Sequence, residues 1–268
     1  MKRASVLVFA GADPSGGAGI QADMLAITAL GAHPLTVITV LTVQDNDRVF
    51  SIHPVSAALV QQQAQPLIDK IRIAAVKIGI VGNRANAEAI AEIVNRLRLQ
   101  QPDLPVVFDP VLASGHGDPL AMDDALQAIA PLLPIATVVT PNLPEAQALC
   151  GGDRHADAQA EVLLSRGCKY VLIKGGHSGD GSVGGDPTVI NRWFTAGDSR
   201  SWTWPRLPGS FHGSGCTLAA ALAALLANGK SMPEALDLAQ AYCHGALASA
   251  YSIAGGQSIP NRFSSLRE

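Results

Sequence analysis

Ser5-Val6-Leu7-Val8-Phe9-Ala10, followed at once by Gly11-Ala12-Asp13-Pro14-Ser15-Gly16-Gly17-Ala18-Gly19, is the stretch on which the fold turns. An almost continuous apolar run bounded by glycine is what a strand buried on both faces of a parallel sheet requires. Ile20 to Leu30 then carries apolar residues at helical spacing, so strand, glycine-rich loop and helix succeed one another. In open α/β sheets such a loop lies at the carboxyl ends of the strands, where ligands bind. Gly11, Asp13, Ser15 and Asp23 are the groups offered there. Asp13 and Ser15 fit turn formation as well as ligand binding. Asp23 can favour the helix dipole or accept a hydrogen bond from a substrate.

The same alternation continues along the chain. Thr36 to Val43 is β-branched and apolar, a second strand ending at Gln44, and Arg48 to Ile52 reads as a small hairpin or flap. Gln44 carries a donor and an acceptor, which suits the edge of a heteroaromatic ring or an ordinary turn. Helices are expected over Ala57–Ile68, Asn86–Leu99 and His155–Arg166, and strands over Ala75–Ile78, Val106–Phe108, Ala136–Val139 and Tyr170–Ile173. Asp109 follows a strand end and leads into a flexible stretch from Ala113 to Asp118, where a carboxylate can hold a divalent cation or cap a turn. Asn142 and Glu145, spaced i, i+3, suit a hydrated Mg²⁺ or a capping box. Lys174 closes a strand before Gly175-Gly176, placed to meet a phosphate or to end in solvent. Ser178 to Asp186 is Gly- and Asp-rich and reads as a mobile loop. Val189–Phe194 and Ser201–Trp204 form a hairpin, in which Trp202 and Trp204 serve strand packing or, alternatively, adenine stacking.

Gly213-Ser214-Gly215-Cys216 opens the apolar run Thr217 to Ala227, so a tight turn feeds a helix whose first backbone N–H groups lack intrahelical partners. Such an end binds anions, and its dipole stabilises negative charge developing on a phosphate-like group. Cys216 sits where it can act on that group. A second Ala-rich helix is expected over Pro233–Ser252.

The chain has 268 residues, 48% of them apolar, and a formal charge of -3, which fits one α/β domain over 1–268 with a small-molecule partner. No Lys/Arg stripe suggests nucleic acid. Cys150, Cys168, Cys216 and Cys243 show no CxxC spacing, so a reducing, cytoplasmic setting is expected, and His33, His116, His212 and His244 show no metal spacing. Met1-Lys2-Arg3 and the apolar residues after it superficially resemble an export signal, but they run into the glycine-rich loop. Thr217–Ala227 is shorter than the roughly 20 residues that cross a bilayer, so no membrane association is expected.

Six segments in order resemble the ribokinase-type small-molecule kinases, and most closely the hydroxymethylpyrimidine/phosphomethylpyrimidine kinases of thiamine biosynthesis. They include Ala10 to Asp23, Val76-Lys77-Ile78-Gly79, Asp109-Pro110-Val111, Thr140 to Ala146, Ile173 to His177 and His212 to Thr217. The cysteine at 216, where sugar kinases carry aspartate, favours the pyrimidine branch. The resemblance implies a three-layer αβα sandwich with a mostly parallel central sheet and a small flap. It implies ATP-dependent phosphorylation of 4-amino-5-hydroxymethyl-2-methylpyrimidine and/or its monophosphate, with Mg²⁺ and a homodimer. Alternatives are a pyridoxal kinase of the same branch and a non-catalytic pyrimidine-binding protein. By resemblance, Gly11, Asp23 and Gln44 hold the aminopyrimidine, Asn142 and Glu145 organise Mg²⁺ on the nucleotide, with Asp109 a further metal candidate, and Lys174 touches phosphate. Gly213, Ser214, Gly215 and Cys216 form the anion hole, and Cys216, with a thiol pKa depressed by the helix end, either takes the alcohol proton or only shapes that hole. The chain departs from the family after Asp23, where Met24-Leu25-Ala26 replaces an expected lysine, at Gln44-Asp45, and at Gly255 to Pro260.

Overall fold

The computed structural model describes residues 2–113, 118, 120, 124–152, 155–176 and 187–264. Its backbone is a nine-stranded sheet in the order β3-β2-β1-β4-β5-β6-β7-β8-β9. The strands are β1 (Ser5–Ala12), β2 (His33–Gln44), β3 (Val49–Pro54), β4 (Ile73–Ile78), β5 (Val106–Phe108), β6 (Val138–Val139), β7 (Tyr170–Ile173), β8 (Thr188–Phe194) and β9 (Ser199–Pro205). The six central strands, in the order β2-β1-β4-β5-β6-β7, pair in parallel. β3 adds antiparallel to β2 as the expected flap, and β8 and β9 form an antiparallel hairpin at the opposite edge.

Helices cover both faces, because successive β1 residues alternate between two apolar cores. Val6, Val8 and Ala10 pack with α1 (Gly19–Ala29), α7 (Ser214–Ala227) and α8 (Met232–Ala248). Leu7 and Phe9 pack on the other side with α2 (Ala57–Lys70), α3 (Arg84–Gln100), α5 (Leu143–Leu149) and α6 (Ala156–Ser165). The result is a three-layer αβα sandwich, as expected. The chain reverses direction in the sheet around β1, from β2 on one side to β4 on the other, which opens a crevice at the carboxyl ends of those strands.

Several expected boundaries move. A short helix α4 (Ala125–Ile129) and a 3-10 helix (Ala130–Ile135) precede β6, which shrinks to Val138–Val139. Pro131 and Pro134 suppress regular α-helical hydrogen bonding there, and their tight turn is not visible in apolar periodicity. Helix α8 stops at Ala248 rather than Ser252, because the chain turns back so that Tyr251 bridges Ile259. The loop expected over 178–186 and residues 114–117, His116 among them, lie outside the described residues. No helix among the described residues is long and apolar enough to cross a membrane.

Candidate active site

The carboxyl ends of the strands and the start of α7 enclose a cavity of about 810 Å³. At the β1–β2 side its wall holds Gly11, Thr42 and Gln44, and at the β8–β9 side Asn191 and Trp204. Asp109, Lys174 and Gly213 to Cys216 line it as well. A cleft of this size with few converging polar groups is the usual form of a small-molecule site.

Two glycine-rich bends meet at this wall. Gly213 is the N-cap of α7 with φ 82°, the left-handed region that glycine adopts without strain. A Cβ on it would collide with the Gly17 carbonyl and Ala18 of the first bend. Gly19, φ 56°, is likewise pressed against the Gly11 carbonyl. Polar ties reinforce the contact. Asp13 accepts the Ser15 and Ala18 amides at 2.8 and 2.7 Å, and its Oδ2 lies 2.9 Å from His212 Nε2. Burial opposes ionisation of Asp13, but His212 and the turn hydrogen bonds outweigh it and bring its pKa to about 2. The turn chemistry expected of Asp13 is therefore what the structure holds.

No side chain caps α7, and its first intrahelical bond runs from Thr217 N–H to Gly213 O. The amides of Ser214, Gly215 and Cys216 thus precede the hydrogen-bonded ladder at the positive end of the dipole. Lys174 stands next to them: its Nζ would lie 3.1 Å from a Cβ on Gly215. The same amine pairs with Asp109 Oδ1 at 2.8 Å, and Thr140 donates to that oxygen at 3.0 Å. Burial works against charge on Asp109, yet Lys174 and Lys77 overcome it and hold the carboxyl below its ordinary range. Burial also opposes charge on Lys174, and Asp109 and Glu145 keep it protonated. The result is a cation beside an uncapped helix end.

Asp23 does not reach the cavity. It is fully buried beneath α1 and accepts Lys77 Nζ at 2.8 Å, with both side chains wholly inaccessible. The expectation that Asp23 addresses the substrate ring is corrected: Ala22, Asp23 and Ala26 form the inward stripe of α1, so the carboxylate points into the protein. The cation facing Asp23 comes from β4, as Lys77 within the segment Val76-Lys77-Ile78-Gly79. Met24 and Leu25 are simply on the exposed side of the helix. A lysine embedded in the apolar run Ile73–Ile78 was itself the signal, since a lysine there needs a buried carboxylate partner.

Asn142 and Glu145 form the capping box. Glu145 N–H donates to Asn142 Oδ1 and Asn142 N–H to Glu145 Oε2, both at 2.8 Å. Both residues nonetheless line the cavity, and burial, only partly offset by Lys174, pushes the Glu145 carboxyl up to about 7. The Cys216 thiol also departs from expectation. Burial raises its pKa and the cation of Lys77 only partly offsets this, so the helix end does not produce a resident thiolate. Sequence reasoning also gave no role to His212, His244 or Arg262. His244 packs 4.9 Å from Trp204, ring centre to ring centre, in the cavity wall, and Trp204 faces the cavity as well as the hairpin.

Comparison with known proteins identifies the family and the fold. A family model described as phosphomethylpyrimidine kinase matches residues 13–261. The hydroxymethylpyrimidine/phosphomethylpyrimidine kinase of Rhizobium meliloti (strain 1021) is 40% identical over 266 residues, covering 95% of this chain and 94% of its own. A pyridoxal kinase from Staphylococcus aureus, solved with AMP-PCP and pyridoxal, superposes with a TM-score of 0.85 at 28% identity, over 100% of this chain and 96% of that one. A phosphomethylpyrimidine kinase from Clostridium difficile superposes with a TM-score of 0.75 at 30% identity, over 91% and 100%.

Proposed function

The chain belongs to the phosphomethylpyrimidine kinase family, and on that premise we propose how its residues carry out the reaction. It is a phosphotransferase of thiamine biosynthesis that uses ATP to phosphorylate 4-amino-5-hydroxymethyl-2-methylpyrimidine and/or its monophosphate. One observation carries the site assignment: the two glycine-rich bends touch, with Lys174 beside the start of α7. An acceptor held by the first bend thereby lies next to an anion held by the second.

Gln44 and the backbone at Gly11 form the acceptor end, where the carboxamide can pair with a ring nitrogen and an amino group. The amides of Ser214, Gly215 and Cys216, together with Lys174, receive the transferring phosphoryl group. Its loose transition state spreads charge over three oxygens and asks chiefly for positioning and neutralisation. The acceptor oxygen forms the new P–O bond as the bond to ADP breaks, and for the alcohol substrate the hydroxyl proton leaves late, to a phosphate oxygen of the products and from there to water. Cys216, protonated at rest, then shapes the anion hole. Trp204 and His244 flank the opposite end, where the nucleotide base fits. Mg²⁺ fits the site by its donor set: Asp109 and Glu145 are hard oxygen donors in the cavity wall, and this ion takes one or two carboxylates alongside substrate phosphates. When bound, it neutralises charge on the nucleotide phosphates. Among the described residues no group of three or more His, Cys, Asp or Glu forms a dedicated metal cage.

The reading takes residues 1–268 as one kinase domain working in the cytoplasm. It also includes a homodimer, for which the flap offers apolar surface: Leu41 and Val43 are exposed on one face of β2, and Phe50 is exposed on β3. ADP release with hydroxymethylpyrimidine, its phosphate and pyridoxal as acceptors tests the reading. Pyrimidine-dependent ADP formation is expected. A preference for pyridoxal would favour the pyridoxal kinase alternative, and thermal stabilisation by the pyrimidine without turnover would favour a binding protein.

A further inference from the structure

Arg262 lies close to the chain end and far in sequence from either bend, yet its side chain is among the largest fully buried ones, at 2% exposure. Its Nη2 donates to Gly17 O in the first bend at 2.5 Å and makes a longer contact, 3.5 Å, to Gly213 O, the N-cap of α7. Its Nε donates to Thr217 Oγ1 at 3.0 Å, and that hydroxyl itself donates to Gly213 O at 2.8 Å. One planar guanidinium therefore bridges two backbone segments that the absence of a Gly213 side chain allows to touch. Carbonyl dipoles brought together in a dry interior repel unless a donor lies between them.

The segment that delivers Arg262 is itself tied to the flap turn, to the residues before α7 and to α8. Ser258 pairs with the backbone of Ser210 and His212, and Asn46, in the turn of the flap, donates to Gly255 O and Gln257 O. Asn261 N–H donates to Ala246 O, and Tyr242 Oη donates to the Arg262 carbonyl, which pins the strap to α8. Among the described residues no carboxylate lies within ion-pair distance of Arg262, so its charge is buried against neutral oxygens. Burial without a counter-ion is unfavourable, and an uncharged side chain of similar volume would fill the space more cheaply. What only arginine supplies is a rigid fork of donors with a permanent positive charge directly behind the anion-binding turn.

We propose that Arg262 is a positioning residue for phosphoryl transfer: it sets the spacing between the acceptor bend at Gly17 and the phosphoryl-binding turn at Gly213 from behind the cavity wall. Lysine cannot replace it, because a single ammonium cannot serve Gly17 O and Thr217 Oγ1 together in that geometry. The inference rests on the kinase reading above and deepens it. Misplacing the acceptor relative to the phosphoryl group by about 1 Å is enough to cost on the order of 100-fold in rate.

The test compares wild type with Arg262→Lys and with Thr217→Val, which removes the Nε partner while leaving the guanidinium. Pyrimidine phosphorylation and pyrimidine-independent ATP hydrolysis are measured side by side, corrected for folded fraction. Arg262→Lys is expected to lower kcat for transfer about 100-fold at saturating substrates, with the KM for ATP little changed and hydrolysis less affected than transfer. Thr217→Val is expected to show the same pattern more weakly. Hydrogen exchange should quicken at both 17–19 and 213–215. Transfer and hydrolysis falling in the same proportion, or unchanged kcat and unchanged exchange at the two bends, would overturn the positioning role while leaving the kinase reading intact. A wild type that releases no ADP with any pyrimidine would overturn the kinase reading and, with it, the role built on it.

Discussion

Two lysine–aspartate pairs flank the central sheet, each at 2.8 Å, and they differ in what surrounds them. Lys77 and Asp23 are sealed, 0% exposed on both sides, under the helix that follows the first glycine-rich bend. Lys174 and Asp109 sit at strand ends with Lys174 14% exposed into the cavity and Asp109 1%. The sealed pair has no access to a ligand, so its charges can only hold α1 to β4 and add to the local field. The open pair can exchange part of its contact for a phosphate or a metal ion without unfolding anything. Chemistry and distance are the same; solvent access assigns the roles.

The largest effect that would break this comparison is expected at the sealed pair. Lys77→Met should destabilise the fold by about 3–5 kcal/mol, because it strands the Asp23 carboxylate in the interior. The double variant with Asp23→Leu should recover most of that loss, and denaturant unfolding of the three proteins measures both. Full stability with lost turnover in Lys77→Met would instead place the sealed pair in the chemistry. At the open pair the pattern should reverse. Lys174→Ala should lower kcat by roughly 10²–10³, the range for one preorganised charge-stabilising donor, while the thermal midpoint falls less than in Lys77→Met, because Lys77 and Thr140 still face the buried Asp109 carboxylate.

A third carboxylate sharpens the contrast, because Asp13 is paired with a histidine and turn amides rather than with a lysine. Its folded pKa of about 2 lies below the unfolded 3.8, so its stabilisation is complete above pH 3.8 and is lost as pH falls through 2. That difference corresponds to about 2 kcal/mol, and Asp13→Asn should remove both it and the acid-side slope in unfolding measured from pH 5 to 2. The smallest effect is expected at Cys216. Its raised pKa leaves it protonated at neutral pH, so Cys216→Ala should cost less than about tenfold in kcat. A far larger loss, with a shifted pH–rate profile, would make the thiol the proton acceptor.

How much of this was legible in the sequence follows from how local each feature is. The buried strand Ser5–Ala10, the bend after it and the glycine-rich start of α7 depend on neighbouring residues, and their spacing revealed them. The Asn142–Glu145 capping box is local too, and was one of two open alternatives. Asp23 was misplaced because a single helix turn decides whether a carboxylate faces the cleft or the core, and its partner lies 54 residues away in a central strand. The Cys216 thiol followed its helix end in the sequence, but burial, which no local pattern encodes, dominates it. Arg262 was invisible for the same reason: its contact with Gly17 spans 245 positions. The short turns Ala125–Ile135 escaped because proline-interrupted 3-10 structure has no apolar period.

The most direct measurement is a crystal structure of the protein with the aminopyrimidine alcohol and a non-hydrolysable ATP analogue. The expected result has the terminal phosphate against the amides of Ser214, Gly215 and Cys216 with Lys174 in contact. It also has the pyrimidine edge on Gln44 and the hydroxymethyl oxygen about 3–3.5 Å from the phosphorus. A terminal phosphate seated away from the start of α7, or a pyrimidine bound where its hydroxyl cannot approach that phosphorus, would contradict the assignment of this junction as the place of transfer.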